Sequence, residues 1–308
     1  MSEAAPARPH QLRGLADFLR SRRARLAPAA VGLRSSNGRR RTHGLRREEV
    51  ATLADISVAW YSRLEQGQAV HPSPASLDAL ARALLLDAVE REYLFQLAGV
   101  GTHDCHALHH QPRPTLLASA LVPSLDTPDG TPAAVRRLLN NLELTPALVM
   151  DRYWDVVGRN AALAVLHAAV DAERMSASIP PRNVVRFVLT NDEWRRMTED
   201  WERVARLAVA GLRTSLASLV AANPDDQRAA ALVTDLTRNS AKFREWWPAH
   251  EVWASDSPLT RMITHPVLGR IEIETTMLDV RSAPGLTLVI ESPCEPRVAE
   301  ELKRLVPR

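Results

Sequence analysis

Cysteine is nearly absent from this 308-residue chain: Cys105 and Cys294 are the two it has. Two thiols cannot build a disulfide framework, so a reducing compartment, the cytoplasm, is expected. Aromatic residues make up only 5%, although seven of them are Trp. Lysine is almost missing as well; Lys242 and Lys303 stand against 37 arginines. Apolar runs are short and broken by Arg, so no segment is expected to span a bilayer. The start, MSEAAPARPHQLRG, has no apolar core of a secretory signal. There is no Gly-rich phosphate loop, no H-E-x-x-H and no G-x-S-x-G, so an enzyme is not expected. Acidic pairs such as Asp225-Asp226 follow a helix cap and suit the helix dipole instead.

What is present is an ordinary globular composition, 45% hydrophobic and 24% charged, which excludes disorder throughout. The length favours two domains. The net charge of +3 conceals an asymmetry, because residues 1–50 hold 12 Arg against four acidic residues. A basic end of this kind suits a polyanion, with nucleic acid the first choice and a membrane surface the second. Residues 101–131 carry Gly101, Pro112, Pro114, Pro123, Pro128 and Gly130. Proline at that density breaks helices and opposes central strands. The expected organisation is a first domain over 1–100, a linker over 101–131 and a second domain over 132–308.

The first domain reads as five short helices. Leu12, Leu15, Leu19 and Leu26 form a helical stripe that Pro28 ends. A second helix over about 46–54 buries Val50, Leu53 and Ala54. Asp55-Ile56-Ser57 is a tight turn whose first residue must tolerate positive φ, and Ser57 caps a third helix over about 58–66. Gly67 stops that helix, with Tyr61 and Leu64 facing inward. Ser73-Pro74 starts a fourth helix and the Asp87–Glu90 pair a fifth, which ends at Gly99. In the second domain, helices are expected at 131–142, 159–170, 201–222, 225–239 and 296–305. Strands are expected near 147–151, 154–157, 259–265, 268–278 and 286–291. Five strands flanked by helices make an α+β domain.

Two helices joined by a tight turn are the helix-turn-helix pattern. Its second helix enters the major groove, held by apolar anchors on one side and presenting contact groups on the other. The stretch LRREEVATLADISVAWYSRLEQGQAVHPSPASLDALARALLLDAVEREYLFQLAG carries the runs S-x-x-x-Y-x-R-L-E-x-G and P-S-P-x-x-L-D-A-L-A. Over roughly residues 12–99 the chain resembles the Xre/Cro-type regulators, except that Asp55 stands where Gly is usual, at a small expected cost in stability. Further on, R-N-V-V-R-F-V-L (182–189), D-W-E (200–202), L-R (212–213), F-R-E-W-W (243–247), H-E-V (250–252) and H-P-V-L-G (265–269) resemble the ligand-binding domain of MmyB-like regulators. There the chain has Arg159-Asn160 where Trp-Asn is frequent. The resemblances imply a lambda-repressor-like five-helix domain followed by a PAS-like α+β domain.

They also imply site residues. The groove-facing set is Ser57, Val58, Ala59, Trp60 and Arg63, with Ser57 on phosphate at a helix start and Arg63 on a guanine edge or a phosphate. Trp60 is equally readable as packing on its own domain. Arg47 is expected to clamp the DNA backbone, and Arg39, Arg40 and Arg41 to meet phosphates. Glu65 is expected to brace the fold. For the second domain the implied ligand is small, apolar and fatty-acid-like. Its apolar walls are expected among Val149, Trp154, Phe187, Leu189, Trp194, Trp201, Leu212, Phe243, Trp246 and Trp247. Polar groups for a head are Arg182, Asn183, Arg213, His250 and His265.

The cluster His103-Asp104-Cys105-His106 with His109 and His110 has zinc-ligand chemistry. It sits alone in the linker, and a solvated segment is the expectation, with no metal and no cofactor. Partners are then double-stranded DNA, a second copy of the chain, and a small apolar ligand, with no membrane insertion. An alternative stays open: the second domain only dimerises or docks a protein partner.

Overall fold

The computed structural model describes residues 9–33, 44–100, 132–142, 144–167, 183–223, 226–252 and 259–306. The linker, its His-rich cluster, Arg39–Arg41 and Arg182 lie outside these residues. Five helices open the chain: α1 (Pro9–Arg25), α2 (Arg47–Leu53), α3 (Val58–Glu65), α4 (Pro74–Ala83) and α5 (Ala88–Leu97). Their limits follow the cap residues. Ser57 accepts a hydrogen bond from Trp60 N, Ser73 from Ser76 N, and Asp87 from Glu90 N. Glu90 answers by accepting from Asp87 N, which completes a capping box. The stripe of α1 supplies Leu15, Phe18 and Leu19 to a core shared with Val50, Tyr61, Leu64, Leu77, Leu80 and Leu94. Leu53, expected inside, is 37% exposed. It lies in the last turn of α2, beyond the face that Val50 and Ala51 bury.

The turn between α2 and α3 depends on Asp55, whose φ is 54°. Left-handed backbone disfavours L-residues, Asp less than most. Gly67, with φ of 68°, ends the segment after α3 in the same region at no such cost.

The second half begins with α6 (Ala133–Asn141), β1 (Ala147–Asp151), β2 (Val156–Arg159) and α7 (Ala161–Leu166). Three helices follow in close succession, α8 (Val184–Thr190), α9 (Asp192–Met197) and the long α10 (Trp201–Ala222). Then come α11 (Gln227–Asn239), α12 (Ala241–Trp246), β3 (Leu259–His265), β4 (Gly269–Asp279), β5 (Leu286–Pro293) and α13 (Pro296–Leu305). The strands form one antiparallel sheet in the order β2-β1-β5-β4-β3. The two halves are thus all-α and α+β, as the periodicities require. Alternation assigns the sheet faces: Val149 and Leu288 pack with Val135 and Leu139 of α6. Arg261, Ile263, Ile273, Thr275 and Glu291 are buried on the opposite face.

Compactness divides the chain differently from its order. One unit holds residues 1–106, 213–235 and 244–253; the other holds 107–212, 236–243 and 254–308. The boundary passes through α10, between Leu212 and Arg213. By length and composition Trp201–Ala221 is apolar enough to cross a membrane, an exception to the sequence expectation. Half of it is buried inside the protein, which is what a core helix does with an apolar face.

Asp55→Gly relieves the left-handed strain and is expected to stabilise the protein by up to about 1 kcal/mol. Urea denaturation followed by circular dichroism measures it, and a loss of stability would contradict the strain.

Candidate nucleic-acid interface and ligand-domain residues

Helix α3 has two sides. Tyr61, Leu64 and Glu65 are buried, while Ser57, Val58, Ala59 and Arg63 are exposed. Val58 is an apolar residue left 39% exposed at the helix start. A methyl surface there suits thymine methyls in the major groove. Trp60 is half-buried and packs on the domain core, so its ring serves the fold at least in part. The Ser57 hydroxyl accepts the capping bond from Trp60 N at 3.1 Å, which leaves its proton for an outside acceptor.

Arg63 does not stand alone. Its Nε donates to Gln68 Oε1 at 3.2 Å, and Gln68 Nε2 donates to Gln66 Oε1 at 2.8 Å. All three residues are exposed at the end of α3. Arg63 is thereby pre-oriented, and its terminal nitrogens remain for a base edge or phosphate. The sequence reading missed the two glutamines. Their signal was two amides immediately after the reading helix.

Glu65 is the brace. It is fully buried and accepts from Arg23 Nε at 2.5 Å, Arg23 Nη2 at 3.0 Å and Arg47 Nε at 2.6 Å. Burial opposes its charge, but the arginine hydrogen bonds outweigh that and hold its carboxyl below the ordinary range. Arg47 was expected to clamp DNA. Its Nε is spent on Glu65, and its side chain is still 42% exposed.

The residues expected around a ligand separate between the two units. Trp154, Asn183, Phe187 and Phe243 fall in one; Arg213, Trp247 and His250 fall in the other, with the helix-turn-helix helices. Trp154 and Phe243 are buried, and Phe187 meets Trp194 edge-on at 6.2 Å. Asn183 caps α8: it accepts from Arg186 N and donates to Tyr153 O at 2.6 Å and Asp155 Oδ1 at 2.8 Å. Both amide hydrogens are therefore used inside the protein. His265 holds a turn, with Nδ1 accepting from Val267 N and Leu268 N, and Nε2 at 3.0 Å from Val165 O. Asn160, one residue past Arg159, caps α7 and donates to Leu142 O and Thr145 O.

Arg213 gathers the other set. It donates to Glu251 O at 3.1 Å and to Trp247 O, lies 3.4 Å from His250 Nδ1, and stacks 4.0 Å from the Trp247 ring centroid. Arg22 of α1 donates to His250 O at 2.5 Å, and Ser21 to Ala249 O at 3.0 Å. Segment 247–251 is thus bonded to α1 through its backbone carbonyls. Burial, with Arg213 and Arg22 close by, pushes the His250 imidazole down to about 3. His250 sits at a φ of 52°.

An exposed helix on a braced five-helix bundle, followed in the chain by an α+β domain, is the build of a DNA-binding regulator with a ligand-binding domain. Residues 14–94 match a helix-turn-helix domain. Residues 131–305 match the MmyB-like transcription regulator ligand binding domain, and the chain belongs to that family. Among curated proteins nothing matches the chain.

Two outcomes follow from this geometry. Glu65→Ala leaves Arg23 without its buried partner and is expected to cost about 3 kcal/mol in urea denaturation. A change below about 1 kcal/mol would show that the cluster is not a brace. His250 is held neutral in the folded protein, so its contribution is complete above about pH 6.5 and is lost as pH falls toward 3. His250→Asn tolerates the same backbone without titrating. Its melting temperature is expected to fall less between pH 7 and pH 4 than that of the parent; parallel curves would refute the assignment.

Proposed function

We propose that this protein is a cytoplasmic, sequence-specific transcription regulator of Xre/Cro type that binds duplex DNA as a homodimer. We read its C-terminal domain as the sensor of a small, apolar, fatty-acid-like ligand, with no catalytic role, metal or cofactor. The observation that carries the DNA reading is the division of α3, with Val58, Ala59 and Arg63 outward and Tyr61, Leu64 and Glu65 anchored inward. A dimer is favoured because one reading helix covers few base pairs, and two half-sites about one helical turn apart add affinity and register.

The sensor reading rests on the family match over 131–305 and on the apolar side chains of that domain, among them Trp154, Leu189, Trp194 and Phe243. Ligand binding there would act on DNA affinity with a coupling of about 1–3 kcal/mol.

Selection of bound sequences from random duplex DNA tests the reading, with paired half-sites as the expected product. Arg63→Ala is expected to lose about 1–3 kcal/mol on the selected site and much less on unrelated duplex. An equal loss on every sequence makes Arg63 a phosphate contact. Affinity is expected to fall steeply with salt, and salt-independent binding would exclude the electrostatic footprint.

A further inference from the structure

The sensor half buries a polar cluster that the fold does not fully satisfy. Arg261 lies on β3, opposite Ile273 of β4, and is 5% exposed. Its Nη1 donates to Thr275 Oγ1 at 2.9 Å and its Nη2 meets Glu291 Oε2 at 2.7 Å. His167, at the end of α7, reaches the same Glu291 oxygen through Nε2 at 3.0 Å. Arg261 Nε is buried and has no acceptor among the described residues. Thr198 Oγ1 is a second buried polar atom without a hydrogen-bond partner among the described residues. Thr198 pairs across a β-bridge with Ile263, two residues from Arg261 on the same face of β3. Two unsatisfied polar atoms thus share one patch, among Ile263, Ile273 and Thr275. Leaving such a donor buried costs more than a typical hydrogen bond gains, so an acceptor that reaches it is favoured.

The charge balance selects the ligand chemistry. Glu291 already neutralises Arg261 at contact distance. Burial opposes the Glu291 charge, but Arg261 and His167 outweigh it and hold the carboxyl well below its usual range. A second carboxylate at Nε would place like charges together inside the domain, which low-dielectric surroundings penalise. An uncharged acceptor satisfies the donor without adding charge. Resting on the sensor reading above, we propose that Arg261 Nε anchors an uncharged carbonyl oxygen of the ligand, as in an acyl ester, lactone, amide or ketone, in preference to a free carboxylate.

The test uses the full chain and three probes of equal chain length: methyl octanoate, N-methyl octanamide and octanoate at pH 8. Binding is followed by tryptophan fluorescence and thermal shift. The ester and amide are expected to bind, and Arg261→Lys, which keeps the charge beside Glu291 but removes Nε–H, to weaken both about tenfold or more. Octanoate is expected to bind more weakly and to respond little to that change. A double variant, Arg261→Met with Glu291→Leu, removes the ion pair as a unit and guards against misfolding of the single one. It too is expected to lose the neutral probes while melting cooperatively. Octanoate binding as tightly as the ester, or unchanged ester affinity in both variants, overturns the carbonyl anchor and leaves the sensor reading standing. Failure of all three probes to bind the parent protein overturns both.

Discussion

One carboxylate fixes the orientation of α3, the second helix of the helix-turn-helix. Glu65 closes α3 and meets guanidinium groups from α1 and α2. Arg20 of α1 adds a bond to the Glu65 carbonyl at 2.8 Å. Burying a carboxylate costs several kcal/mol, and two arginines with three hydrogen bonds are needed to offset it. In return the end of α3 cannot rotate without breaking those bonds. Tyr61 and Leu64 stay in the core, and the opposite edge with Val58, Ala59 and Arg63 stays outside. A purely apolar seam would bury similar area but tolerate rotation more easily, because dispersion contacts are not directional. The outward edge of α3 is therefore set from beneath, by residues buried in the domain.

Arg47 shows the limit of reading roles from position alone. At the start of α2 an arginine suits a phosphate, and a sequence reader assigns it there. The structure spends its Nε on Glu65 while leaving the side chain partly exposed. Asn183 is a stronger case: both Nδ2 hydrogens, the side-chain donors that could meet a ligand carboxylate, go to Tyr153 O and Asp155 Oδ1, and its Oδ1 accepts from Arg186 N. Asn immediately before an apolar run is a helix-cap signal, and that signal was the informative one.

Much of the fold was legible because its signals are local. Ser57, Ser73 and Asp87 announce helix starts, and Ile271, Ile273 and Thr275 alternate along a strand. Helices α8, α9 and α12 were not read: six or seven residues hold less than two turns of periodicity, and the caps Asn183 and Asn191 were the local signals left for α8 and α9. The partition of the expected ligand residues was hidden for another reason. Arg213 follows Leu212 directly on α10, and both are buried, yet they fall in different compact units. Periodicity reports that a face is covered and is silent about what covers it. The cluster of His167, Arg261, Thr275 and Glu291 was invisible altogether, because its members meet only through strand register and the placement of α7.

Two of the buried carboxylates, Glu65 and Glu291, bring out a distinction that burial alone conceals. Arg23 gives Nε and Nη2 to Glu65 and Nη1 to Leu45 O, so its donors are directed to the protein from all three nitrogens. Arg261 gives Nη1 and Nη2 to Thr275 and Glu291 and keeps a buried Nε without an acceptor. Both carboxylates are held by arginine, and both clusters tie separate elements together. They differ in completeness. Where every guanidinium nitrogen already donates to the protein, the pair serves stability. On the proposal above, a pair with an unpartnered donor has free energy to release to a ligand oxygen, and the charge already present selects an uncharged one.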